Sequence, residues 1–157
     1  MKFSTKEDIE APIVDTFALF SDFDQFERSA LRRGAEVRRT DSLKRHGTGM
    51  AWASAFKFRG KNRKIEAELI GYEPCDGYEV ELQSNDVTAY ATLELMSLSK
   101  SRTRASFAIE LKPKSLSGRL IVQTMRFGKS RLEKRFRKRA ADFAVMIERQ
   151  YKTTNSA

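Results

Sequence analysis

The chain has 157 residues, enough for one domain with its own core, and 40% apolar with 32% charged residues excludes a disordered tail or a bundle of membrane spans. Thirty Lys and Arg against 21 Asp and Glu give a formal charge of +9. One cysteine, Cys75, and one histidine, His46, exclude an internal disulfide and any multi-cysteine or multi-imidazole metal site, so no metal and no cofactor are expected. No apolar run approaches the ~18 residues of a spanning helix. The N-terminus lacks the apolar stretch of a signal peptide, so a cytoplasmic location is expected.

Residues 3–10 alternate, with Phe3, Thr5, Glu7 and Ile9 on one face and Ser4, Lys6, Asp8 and Glu10 on the other. Period two is the signature of a half-buried strand. Ala11-Pro12 switches the pattern, and Pro suits the first position of a helix because its missing N–H is unpaired there anyway. Val14, Phe17 and Ala18 supply helical spacing. Ser21-Asp22 breaks it, with Asp22 placed to cap a second short helix. Phe23, Phe26, Ala30 and Leu31 are that helix's apolar side, and Gly34 is placed to end it.

From Gly34 to Pro113 the period is two again. Strands are expected at about 35–43, 49–58, 63–73, 78–85, 87–98 and 103–112, separated by turn chemistry such as Arg59-Gly60-Lys61-Asn62 and Pro74-Cys75-Asp76-Gly77. Tyr78, Val80 and Leu82 oppose Glu79, Glu81 and Gln83, so one sheet face is buried and the other is wet. Along 49–58, either Ala51, Ala53 and Ala55 or Trp52, Ser54 and Phe56 face inward. Residues 116–152 carry a helical stripe from Ile121 and Met125 through Leu132, Phe136, Phe143 and Ile147. Ser115 or Ser117 can cap it. Unbroken, it would be about 55 Å long at about 1.5 Å per residue, so a bend is expected near Gly118 or Gly128.

The order is strand, two short helices, six meandering strands and one long helix. It predicts an α+β fold in which a curved seven-stranded antiparallel sheet is wrapped on the C-terminal helix. One domain over 1–152 is expected, with a short polar tail at 153–157. If the sheet curls around the helix, the space between them forms a cavity suited to apolar ligands.

These residues resemble the START/polyketide-cyclase superfamily (SRPBCC, helix-grip fold). Ile9-Glu10-Ala11-Pro12 leading into Val14-x-x-Phe17 and Asp22 is similar to the family's opening. Gly49-x-x-Trp52 with Phe58-Arg59-Gly60-Lys61 is similar to its second hairpin, and Glu73-Pro74 and Leu111-x-Pro113-Lys114 to its later turns. The resemblance covers residues 1 to about 150. It departs at the exit of the second helix, Glu27 to Arg33, where relatives often carry Trp or Pro. It implies binding or carriage of a hydrophobic or amphipathic ligand, with cyclase or hydrolase chemistry in some members.

The apolar strand faces and the last helix give a candidate ligand-binding set: Trp52, Phe56, Phe58, Leu69, Tyr78, Leu82, Ala91, Leu93, Phe107, Ile121 and Met125. The same residues would equally fill a core. No catalytic residue is singled out, because no carboxylate pair, nucleophile elbow or phosphate loop is present. Glu7, Arg39 and Ser54 are polar residues on inward faces, and a Glu7–Arg39 pair is conceivable.

Charge is polarised along the chain. Residues 126–139 hold eight basic side chains against Glu133 alone, whereas residues 65–100 hold eight acids against Lys100. Arg126, Lys129, Arg131, Lys134, Arg135 and Lys138 form either a solvated helix face or a patch for an anionic surface: acidic lipid, RNA or an acidic protein partner. Sequence-specific nucleic-acid binding is not expected, since no recognition motif appears. The segment 116–127 is apolar nearly all round, which a surface helix with one buried stripe is not. Its second side is either covered by the N-terminal helices or serves as a pocket gate, dimer patch or membrane contact. A monomer or weak dimer is expected.

Overall fold

The computed structural model describes residues 1–58 and 60–155, Phe58 in its backbone only. The Phe58 side chain and Arg59, both named above, therefore lie outside the described residues. The elements are β1 (Lys2–Ile9), α1 (Ile13–Phe20), α2 (Phe23–Arg32), β2 (Glu36–Arg39), β3 (Ala51–Phe58), β4 (Lys61–Glu73), β5 (Gly77–Gln83), β6 (Val87–Ser99), β7 (Arg102–Pro113), α3 (Leu116–Phe127) and α4 (Lys129–Asn155). All seven strands form one antiparallel sheet in the order β1-β7-β6-β5-β4-β3-β2. The meander runs from one edge, and the first strand closes against the last.

Strand register sorts the side chains by face. Phe3, Ile109, Ala91, Val80 and Leu69 form one row across the sheet, and Thr5, Phe107, Leu93, Tyr78 and Tyr72 the next. Trp52 pairs with Ala67 and Ala67 with Leu82, which puts Trp52, Ser54 and Phe56 on this same concave face. Ala51, Ala53 and Ala55 take the convex one, answering the question left open along 49–58. Glu66, Glu68, Glu79, Glu81 and Glu94 also project from the convex face.

Local chemistry sets the helix ends. Pro12 is the extended residue just before α1, one position earlier than the sequence suggested. Asp22 caps α2 by accepting the Gln25 N–H at 3.3 Å, and Gly34, at φ +90°, ends it. Ser115 caps α3 by accepting the Gly118 N–H at 3.0 Å. The long helical stripe divides at Gly128, where α3 ends and α4 begins. Gly118 fixes α3 against the β5–β6 turn: a Cβ there would lie 2.0 Å from the Asp86 carbonyl oxygen.

The main core gathers Ile9, Phe17, Phe20, Leu93, Leu95, Ala105, Ala144 and Ile147. Phe20 is fully buried and meets Phe107 and Phe143 at 5.7 and 5.1 Å. Burying such a side chain contributes about 1.5–3 kcal/mol. A second cluster, Phe23, Met50, Trp52 and Leu69, lies under α2. Cover of the concave face is shared between the long helix and the two N-terminal helices. α4 packs mainly on β1 and α1. Its buried residues, Ala140, Ala144 and Ile147, lie in its C-terminal two-thirds. Its lysine- and arginine-rich beginning has too narrow an apolar stripe to seat deeply, so α1 and α2 cover the rest.

Three further expectations are corrected. Val14 and Leu31 are 65% and 53% exposed; α1 instead buries Thr16, whose hydroxyl donates to the Pro12 carbonyl at 2.9 Å. Strand β2 stops at Arg39 because Asp41 turns the chain, accepting Nε of Arg39 at 2.7 Å and the Ala51 N–H at 2.8 Å. Glu7 and Arg39 do not pair, since β1 and β2 are opposite edges of the sheet and Arg39 is bound to Asp41.

Candidate functional site

The apolar side of α2, Phe23, Phe26 and Ala30, faces Val37 of β2, Trp52 of β3 and Tyr78 and Val80 of β5 across a hollow of about 250 Å³. The spacing i, i+3, i+7 places those three helix residues on one face. The aromatic rings hold each other: Phe23 lies 5.5 Å from Trp52 and 5.3 Å from Tyr78. The Arg39 guanidinium stands 5.7 Å over the Trp52 ring.

The polar atoms of this wall are already engaged. The Trp52 indole N–H donates to Glu27 Oε1 at 2.6 Å, and the Tyr78 hydroxyl donates to the Phe20 carbonyl at 2.6 Å. Burial pushes the Tyr78 phenol well above its ordinary value, with Tyr72 adding to the effect, so it is a neutral donor at physiological pH. A bound molecule therefore meets mostly apolar surface here. The volume equals roughly eight waters at about 30 Å³ each, room for a ring or a short chain but not for a diacyl lipid.

Phe26 and Ala30 also line a cleft of about 800 Å³ between α2 and α4. Phe143 and Met146 form its apolar floor, and Arg33, Lys138, Arg139 and Asp142 its rim. Lys138 is bound to Asp142 at 3.1 Å. The guanidinium groups of Arg33 and Arg139 make no ion pair among the described residues. The cleft is thus apolar along Phe143 and Met146 and cationic at its rim, and it shares the Phe26 and Ala30 side chains with the hollow.

A separate hollow of about 440 Å³ lies under α3, lined by Phe56, Ile65, Val87 and Ile121 with the polar tips Asn62, Arg63, Ser84 and Asp86. The sequence-derived candidates are therefore distributed. Trp52 and Tyr78 meet at the first hollow, Phe56 and Ile121 at the second. Leu69 and Leu93 are core, and Phe107 packs against Phe20 and Phe143. Leu82 and Ala91 are half-buried on the concave face, and Met125 is half-buried on α3. Arg126, Lys129, Arg131, Lys134, Arg135 and Lys138 are all exposed. The α2 wall, Phe23, Phe26, Glu27 and Ala30, was legible as an amphipathic stripe but not as a site, because nothing local says what the stripe faces.

No protein-family model matches the sequence, and no curated protein matches it either. Solved structures do share the architecture. A conserved protein from Geobacillus kaustophilus superposes with a TM-score of 0.61 at 12% identity, over 98% of this chain and 97% of that one. Norcoclaurine synthase from Thalictrum flavum, solved with dopamine and hydroxybenzaldehyde, gives 0.60 at 14%, over 80% and 76%. A START superfamily protein from Mycobacterium smegmatis gives 0.54 at 13%, over 85% and 95%. With its meandering sheet, paired short helices and long final helix, the chain has the helix-grip fold of the START-like (SRPBCC) superfamily.

Proposed function

We propose that the protein binds and carries a small amphiphile, one ring or one chain with an acidic head. The apolar end enters the Trp52–Tyr78 hollow and the acid stays at Arg33 and Arg139. The observation that carries this reading is the pairing of an apolar interior with two cationic groups that no carboxylate of the described chain neutralises. Charge-assisted bonds from arginine to a carboxylate are the strong kind, and a partly desolvated cleft strengthens them. Carriage rather than catalysis fits a wall whose acid and phenol, Glu27 and Tyr78, are occupied by structural hydrogen bonds. The fold by itself decides nothing, since norcoclaurine synthase shares it.

Trp52 is the only tryptophan of the chain, and its indole forms the hollow's wall. Titration with medium-chain fatty acids should shift its emission saturably. The matching alcohols should bind roughly tenfold more weakly, the loss expected when a charged hydrogen-bonded group is removed. The Arg33→Glu/Arg139→Glu double variant should erase that preference. Equal response to acid and alcohol, or none to either, would refute the reading.

A further inference from the structure

Helix α3 has two apolar sides. Gly118 and Val122 are buried against the body of the protein. Leu116, Leu120 and Phe127 are 75%, 58% and 93% exposed. At about 100° per residue these three fall within an arc of about 40°, opposite Gly118 and Val122. This is a second, outward stripe rather than scattered exposure. The N-terminal helices do not cover it, because α3 packs mainly on β7 and α4.

The charge around the stripe identifies what it faces. From Lys112 to Leu132 the chain carries Lys112, Lys114, Arg119, Arg126, Lys129 and Arg131 and no acid. The glutamates of β4, β5 and β6 project from the convex face of the sheet, the side away from the helices. A second copy of the chain is a poor occupant, since apposed α3 helices would bring two like-charged segments together. A helix with large apolar residues on one side and cationic neighbours that can snorkel is the form that lies in the plane of an anionic bilayer surface. Among the described residues no helix is long and apolar enough to cross a membrane.

We infer that α3 docks the protein on anionic membranes. Leu116, Leu120 and Phe127 enter the acyl boundary, while Arg119, Arg126 and the basic beginning of α4 hold acidic headgroups. This surface is distinct from the ligand hollow, so it stands or falls apart from the carrier reading.

The test is co-sedimentation of the full chain with vesicles of phosphatidylcholine alone or enriched in phosphatidylserine. The Leu116→Ser/Leu120→Ser/Phe127→Ser variant is compared with wild type, and circular dichroism checks that its fold is kept. Wild type should bind the phosphatidylserine vesicles at least tenfold more tightly than phosphatidylcholine. Affinity should fall at about 1 M salt, where the Debye length is about 3 Å. The triple variant should lose at least tenfold of its vesicle binding. No binding by wild type overturns the inference. So does equal binding by the folded triple variant, which would show adsorption by charge alone with no part for the apolar stripe. Fatty-acid titration of Trp52 in vesicle-free solution reports on the carrier reading separately.

Discussion

Tyr78 ties β5 to the junction of α1 and α2 through one hydrogen bond, and its removal has a pH signature that packing alone does not produce. The Tyr78→Phe variant loses the 2.6 Å bond and leaves the Phe20 carbonyl without that partner. An unsatisfied buried acceptor costs about 1–2 kcal/mol. For a domain of this size that lowers Tm by roughly 3–6 °C near neutral pH. Above pH 10 the balance changes. The unfolded phenol ionises near its ordinary value of about 10, whereas burial keeps the folded one protonated to higher pH. The unfolded state then binds fewer protons than the folded state, so wild-type stability falls by about 1.4 kcal/mol per pH unit from this group. The variant has no such loss. Urea unfolding followed by circular dichroism at pH 7, 9 and 11 should show the wild-type advantage intact at pH 7 and cancelled near pH 11. A gap constant from pH 7 to 11 would refute the buried-phenol account, even if the variant were destabilised.

Gly118→Ala should destabilise the protein. The new Cβ meets the Asp86 carbonyl oxygen, a backbone atom that cannot swing away. Overpacking costs about 1–3 kcal/mol, against about 1 kcal/mol gained in helix propensity, and raised hydrogen exchange in α3 should locate the damage; a stabilised variant would show that α3 is not seated on that turn. Asp41 is held well below the usual carboxylate range, chiefly by its hydrogen bond from Arg39 and also by the Ala51 and Leu43 N–H groups, against the opposing effect of burial. Its contribution is therefore present above about pH 4, the unfolded value, and is lost as pH falls toward the depressed folded value. Asp41→Asn should narrow its stability gap to wild type between about pH 5 and pH 2, and a gap that persists or widens on acidification would contradict this.

Most of the architecture was legible because its signals are local. Alternation along β5 and β7, the caps Asp22 and Ser115 and the break at Gly128 each depend on a few neighbouring residues. The packing of α4 was not legible, because its stripe of three- and four-residue steps continues into a segment where Leu132 and Phe136 are only half-buried. Periodicity states which side of a helix is apolar, not how deeply that side is buried. The hollow was half legible for the same reason: register carried Trp52 and Tyr78 to one face, but the matching wall comes from α2, and only the fold brings the two together. Conversely, the apolar excess of residues 116–127 was visible in the sequence, and the structure shows that part of it points outward.

The most direct measurement is native mass spectrometry of protein purified without detergent, with an organic extract of the same sample. The account predicts a single small acidic amphiphile bound one to one, or a ligand-free protein that takes up one equivalent of a medium-chain fatty acid with a matching change in Trp52 emission. A protein that carries nothing and leaves Trp52 unchanged through that titration would contradict the central claim that the hollow under α2 is a ligand site.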